Sequence, residues 1–296
     1  MFDDTNPYVA FLTANKAKTF HMKAWACNTG DALIWWGTEN LLRDLGIRTT
    51  RDPMKADVIL TPGGNLTMWQ DNVDAWKATW KTCPDKEFVV GPTTAQFGLT
   101  TWVEDIRNTS VRVSGLFARD AESYRNLCDC RFGEDIVVGL SHDPALYLRH
   151  SDFFEAEREA GKEEYVLAAF RADHEGCRTS SEYNKRLSRL VPDAVLTRID
   201  RRRKRRSQMA KIARAAEVSE ANGTLRTCDI ARHPIPYFFE VLRGAREVHT
   251  DRLHCMLAAA MLDKPVFAYP TTFGKLEAVY EYSLKDWARV EFVGDC

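Results

Sequence analysis

Glu247-Val-His-Thr-Asp-Arg-Leu-His-Cys-Met-Leu-Ala-Ala-Ala-Met-Leu-Asp-Lys-Pro-Val-Phe-Ala-Tyr269, continued by Pro270-Thr-Thr-Phe-Gly-Lys275, reads as strand, helix, strand. Leu253, Met256, Leu257, Ala260 and Met261 recur at the spacing of one helical face, and Thr250 or Asp251 stands where a helix cap belongs. Val266-Phe-Ala-Tyr269 is a short apolar run of the kind buried in a parallel sheet. Arg252 and His254 fall in the first helical turn, where open backbone N–H groups and the helix dipole favour an anion. Lys275 follows the next strand, on the edge where α/β folds hold ligands. Solvated charges on an ordinary helix would give the same pattern. Arg252 and His254 would also point about 200° apart on a regular helix, so they converge only if Arg252 lies at the very tip.

Moving towards the amino terminus, strand–helix units recur. Asn28-Thr-Gly-Asp31 is a turn, and Ile34, Thr38, Leu41, Leu42 and Leu45 mark the inward face of a helix that Gly46 ends. Asp57-Val-Ile-Leu-Thr61 is a buried strand running into Pro62-Gly-Gly-Asn65, where Gly63 and Gly64 permit close backbone approach to a ligand or simply make a tight turn. Further strands are expected at Phe88-Val-Val-Gly, Leu116-Phe-Ala and Asp135-Ile-Val-Val-Gly-Leu. Arg119 follows the second of these, and an ion pair with Asp120 or Glu122 is its bland explanation; His142 and Asp143 follow the third, facing the ligand edge or holding the turn. Repetition of such units predicts a parallel sheet with helices on both faces. Dense charge over Ser151-Asp-Phe-Phe-Glu-Ala-Glu-Arg-Glu-Ala-Gly-Lys-Glu-Glu164 breaks the pattern, so domains are expected at 1–152 and 162–296. Strands resume at Tyr165-Val-Leu-Ala-Ala-Phe170 and Ala194-Val-Leu-Thr-Arg-Ile199, with a helix at Ser207-Gln-Met-Ala-Lys-Ile-Ala-Arg-Ala-Ala-Glu217.

The 296 residues suffice for one large or two ordinary domains. A formal net charge of −1 gives no global attraction to nucleic acid. The 8 cysteines form no CxxC pair and no zinc spacing, which suits a reducing compartment. No signal-peptide pattern opens the sequence and no apolar run is long enough to span a bilayer, so a cytoplasmic location is expected. The basic run Arg201-Arg-Arg-Lys-Arg-Arg206 is most simply a solvated helix start; attraction to an anionic membrane is the functional alternative, and without interleaved aromatics nucleic acid is not expected. Of the 8 tryptophans, all but Trp287 lie in the amino half, and Trp35, Trp36 and Trp69 stand near turns as candidate sugar platforms.

Thr250-Asp-Arg-Leu-His254 with its small-residue helix, Lys264-Pro-Val266 and the later Lys275 resembles the signature of the polysaccharide pyruvyl transferase family. Asn28-Thr-Gly-Asp31, Gly63-Gly64, Arg119-Asp-Ala-Glu-Ser123 and Arg171-Ala-Asp-His-Glu175 resemble other segments of that family in the expected order. The resemblance implies two Rossmann-like domains facing a cleft, in the GT-B-like manner. It also implies transfer of the enolpyruvyl unit of phosphoenolpyruvate to two hydroxyls of a sugar of an exopolysaccharide or cell-surface glycan precursor. A pyruvate ketal forms and phosphate leaves. By residue type and family position, Arg119, Arg252, His254 and Lys275 are the expected donor contacts, with His254 the general acid and His142, Asp143 and Asp31 in reserve. Asp31 is alternatively a base towards an acceptor hydroxyl, and Asn28, Gly63, Gly64 and Asn65 are the expected acceptor side. No metal and no cofactor beyond the donor is implied. The rivals are a nucleotide-sugar glycosyltransferase of the same fold and a glycan-binding family member without catalysis.

Overall fold

The computed structural model describes residues 2–23, 28–65, 70–96, 99–171, 193–219, 224–230 and 233–293. The chain divides into two compact units, Met1–Ser151 with Glu281–Ser283, and Asp152–Tyr280 with Leu284–Cys296.

The first unit is built on β1 (Thr19–Met22), β2 (Arg48–Thr49), β3 (Val58–Thr61), β4 (Glu87–Thr93), β5 (Arg112–Ala118) and β6 (Val137–Leu140). They form one sheet in the order β2-β1-β3-β4-β5-β6, with every pair parallel. Strand alternation divides the apolar residues between two cores. Ile59, Phe88, Val90 and Leu116 meet Trp76 and Trp80 of α3 (Gln70–Thr82) and Trp102 of α4 (Leu99–Asn108). Val58, Leu60, Val89 and Phe117 face the other way, onto Tyr8 and Leu12 of α1 (Pro7–Ala14) and Leu41 and Leu42 of α2 (Thr29–Asp44). Gly46, just past α2, has φ +69°, the left-handed conformation that ends a helix at little cost. A short helix, α5 (Ala121–Asp129), follows β5.

The second unit carries β7 (Tyr165–Ala169), β8 (Thr224–Thr227), β9 (Ala245–Thr250), β10 (Val266–Ala268) and β11 (Val290–Phe292) in the order β11-β10-β9-β7-β8, again all parallel. Counted from its own first strand, fifth-fourth-third-first-second, this is the arrangement of the first five strands of the first sheet. Its helices among the described residues are α6 (Asp152–Glu159), α7 (Asp193–Val218), α8 (Ile235–Gly244), α9 (Leu253–Met261) and α10 (Lys275–Ser283). The charged stretch after Ser151 is thus helical in part, and Phe154 of α6 packs edge-on against Phe239 of α8 at 5.3 Å.

One element differs in kind from its expectation. Residues 194–199 are not a strand but the start of α7. A six-residue stretch such as Ala194-Val-Leu-Thr-Arg-Ile199 cannot be assigned by periodicity alone, and this one continues without a Gly or Pro break into Arg-, Lys- and Ala-rich sequence that favours helix. The strand that completes the sheet is β8, whose Thr-Leu-Arg-Thr sequence gives a weak signal. No helix among the described residues is long and apolar enough to cross a membrane.

Candidate functional site

In the second sheet the chain runs from β7 out to β8 and then back past β7 to β9. Connections therefore leave β7 and β9 in opposite directions, and such a switch point is where open α/β sheets hold ligands, beyond the carboxyl strand ends. The turn from β9 into α9 stands there. Its expected caps do other work. Thr250 donates from Oγ1 to Ala169 O at 2.9 Å and receives the Arg252 N–H at 3.0 Å. Asp251 is buried and accepts the Arg171 N–H at 2.8 Å and Lys211 Nζ at 2.7 Å. Lys211, on the inner side of α7, also reaches Pro270 O at 3.2 Å. One buried ion pair therefore joins the loops after β7, β9 and β10.

Arg252 is the residue just before α9, in extended conformation with φ −103° and ψ 117°. Being off the helix, it escapes the 200° divergence from His254 expected on a regular helix. Its Nη2 donates to Asp229 Oδ2, beyond the end of β8, at 2.6 Å. His254 lies in the first turn of α9 and is half-buried. Lys275 opens α10, where Gly274 turns the chain at φ +65°. Arg252, His254 and Lys275 thus share the carboxyl edge of adjacent strands β9 and β10. Cys255 beside His254 is no nucleophile, because burial pushes its thiol up to about 12.

The first sheet has the same switch between β1 and β3. Asn28 and Asp31 close a capping box at the start of α2: Asn28 Oδ1 accepts from the N–H groups of Gly30 at 2.7 Å and Asp31 at 3.2 Å, and Asp31 Oδ2 accepts from Asn28 N–H at 3.2 Å. Beyond β3, Gly63 has φ +123°, and a Cβ there would stand 2.2 Å from Pro92 O. Gly64 continues the strand pairing, donating to Pro92 O at 3.1 Å and accepting from Thr94 N at 2.9 Å. A Cβ on Gly64 would stand 3.9 Å from Asp31 Oδ1. Asn28, Asp31, Gly63 and Gly64 are therefore neighbours at one edge, and the half-buried Asn65 follows directly.

Arg119 is different. It is buried, its Nη1 paired with Asp143 Oδ2 at 2.7 Å and its Nε donating to Thr94 Oγ1 at 2.9 Å. Its partner is thus neither Asp120 nor Glu122. Asp120 caps α5 through Ser123, whose N–H and hydroxyl both donate to it at 2.7 Å. Asp143 also accepts from Ala145 N–H at 3.0 Å and holds the turn after β6. His142 is stacked on Tyr282 at 4.7 Å with Nδ1 2.9 Å from Ser283 Oγ, and burial lowers its pKa to about 4.

Trp35 packs against the core that contains Phe20 and Leu41, and Trp76, Trp80 and Trp102 are core outright. Bulk explains the three core indoles, while Trp35 and its neighbour Trp36 are half-buried. Trp69, Trp25 and positions 172–175 lie outside the described residues. Sequence reading missed Lys211 and Asp229, because a lone lysine within a basic helix and an aspartate after a weak strand carry no pattern. Among the described residues no group of three or more His, Cys, Asp or Glu side chains is placed to hold a metal.

Comparison with known proteins bears on this arrangement. An uncharacterised protein of Klebsiella pneumoniae superposes with a TM-score of 0.64 at 17% identity, over 97% of this chain and 96% of the other, which shows a shared fold. A UDP-GlcNAc 2-epimerase of Methanocaldococcus jannaschii, solved with UDP-GlcNAc and UDP, gives a TM-score of 0.40 at 11% identity, over 93% of this chain and 88% of the other. No curated protein matches the sequence. The family model for polysaccharide pyruvyl transferase matches residues 28–271, which take in Asn28–Asn65, Arg252 and His254 and end just before Lys275, and the chain belongs to that family.

Proposed function

We propose that the protein transfers the pyruvyl unit of phosphoenolpyruvate to two hydroxyls of a glycan sugar, forming a cyclic ketal and releasing phosphate. The carrying observation is the clustering of Arg252, His254 and Lys275 on the carboxyl edge of β9 and β10, at a switch point and two helix starts. A donor bearing a phosphate and a carboxylate needs fixed cations, and helix N-termini add oriented N–H groups. Asp229 and the Lys211–Asp251 pair hold the arginine and its turn in place. Arg119 we assign as a positioning residue, since its guanidinium is committed to Asp143.

In the reaction, a proton goes to the methylene carbon of the donor while a sugar hydroxyl bonds to its C2 and loses its own proton. Phosphate then leaves C2 with the C–O electron pair, and the second hydroxyl bonds to C2 to close the ketal, its proton going to the departing phosphate. His254 is the proton donor to the methylene carbon. Asn28, Asp31, Gly63, Gly64 and Asn65 serve the acceptor, with Asp31 taking the hydroxyl proton. The test is phosphate release from phosphoenolpyruvate in the presence of glycan acceptors, with the ketal detected by mass. Binding of nucleotide sugars with no response to phosphoenolpyruvate would establish the glycosyltransferase reading instead.

A further inference from the structure

Helix α7 presents a face that the transferase reading does not use. Its inner side is set by Lys211 and Ala215, both buried. At 100° per residue, the direction opposite them is occupied by Val195, Ile199, Arg202, Arg206 and Met209, flanked by Arg198, Arg203 and Arg205. Val195, Ile199 and Met209 are 46%, 37% and 55% exposed, and they are three of the five exposed large apolar side chains among the described residues. Lys204 falls on the inner side and is half-buried, so the basic run does not act as one block. The acidic group on the outer side, Glu217, lies near the helix end and is paired with Arg214 at 3.2 Å.

We infer that this outer face of α7 seats the protein on an anionic lipid surface. Solvation explains arginines but not three large apolar side chains among them on the water side of a helix. A bilayer interface accepts both, with guanidinium groups at the headgroup phosphates and apolar side chains in the acyl boundary. Nucleic acid would reward the arginines and leave the apolar residues idle. The inference stands apart from the transfer chemistry, because it concerns attachment alone.

Flotation of the full chain with vesicles tests it. Vesicles containing phosphatidylglycerol should capture the protein, phosphatidylcholine vesicles should not, and high salt should weaken capture. R202Q/R206Q should lower the partition coefficient by about thirtyfold, at roughly one kcal/mol for each arginine. V195S/I199S/M209S, which keeps every charge, should lower it by at least about tenfold with circular dichroism unchanged. Equal capture by both vesicle types overturns the proposal. So does full binding by the serine variant, or single-stranded RNA binding tighter than anionic vesicles and indifferent to those serines.

Discussion

Arg252 and His254 stand two residues apart in one turn, yet their loss should read differently. Arg252→Ala removes a charge-assisted anion contact and should cost about 2–5 kcal/mol of phosphoenolpyruvate affinity by calorimetry. His254→Gln keeps size and hydrogen bonding, so donor affinity should hold while turnover falls about 10²–10⁴-fold and a limb of the pH–rate profile disappears. Equal loss of donor binding in both variants would make His254 a ligand rather than an acid. His142 predicts a stability effect instead. Burial holds its folded pKa at about 4, below the ordinary 6.5, so the unfolded chain takes up the proton first. Its contribution is fully present above 6.5 and is lost as pH falls towards 4. His249, buried between Phe267 and Tyr269 and shifted the same way, adds to this loss. Denaturant unfolding of His142→Asn should therefore decline less steeply over that window than the parent. At this scale the sequence showed which residues have chemistry to offer but not which are spoken for. Arg119 looks like a ligand contact from its motif, and only tertiary structure adds that its guanidinium pairs with Asp143, as that of Arg252 pairs with Asp229.

Two elements are tied by side chains that the sequence keeps far apart. Lys211 on α7 and Asp251 after β9 form a buried pair 2.7 Å long, and breaking one side leaves a charge without its partner. Lys211→Met should cost about 3–5 kcal/mol by denaturant unfolding, and Lys211→Met with Asp251→Asn should recover much of it. Donor KM should stay raised in the double variant, because the turn carrying Arg252 has lost its anchor to Pro270. A double variant with wild-type KM would reduce the pair to scaffolding. In α2, Gly37 faces the turn after β6 so closely that a Cβ would stand 2.0 Å from Pro144 O. Gly37→Ala should therefore destabilise the first unit by about 1–3 kcal/mol. Element type was legible wherever apolar period and stop signals agreed, as in α2 with Gly46. It failed at residues 194–199, where a short apolar run fits helix and strand alike and its continuation decides.

At the scale of the whole chain, two sheets with the same order over their first five strands arise from sequences with no visible likeness. The strand–helix repetition made the α/β class readable, and the motif order made the family readable, but strand order is set by long-range pairing that no local pattern encodes. Two compact units predict separable unfolding. In calorimetry Gly37→Ala should lower one transition and Lys211→Met the other; equal shifts of a single peak would show the chain melting as one body.

The packing of Trp76 against Trp80 at 4.5 Å and Trp102 at 5.5 Å has an optical consequence. Indoles this close exchange excitation energy, so these three emit as one shared chromophore rather than as independent lamps. That chromophore belongs wholly to the first unit, and Trp287 is the only indole of sequence position beyond Trp102. Fluorescence will thus report the first unit's melting with little voice from the second.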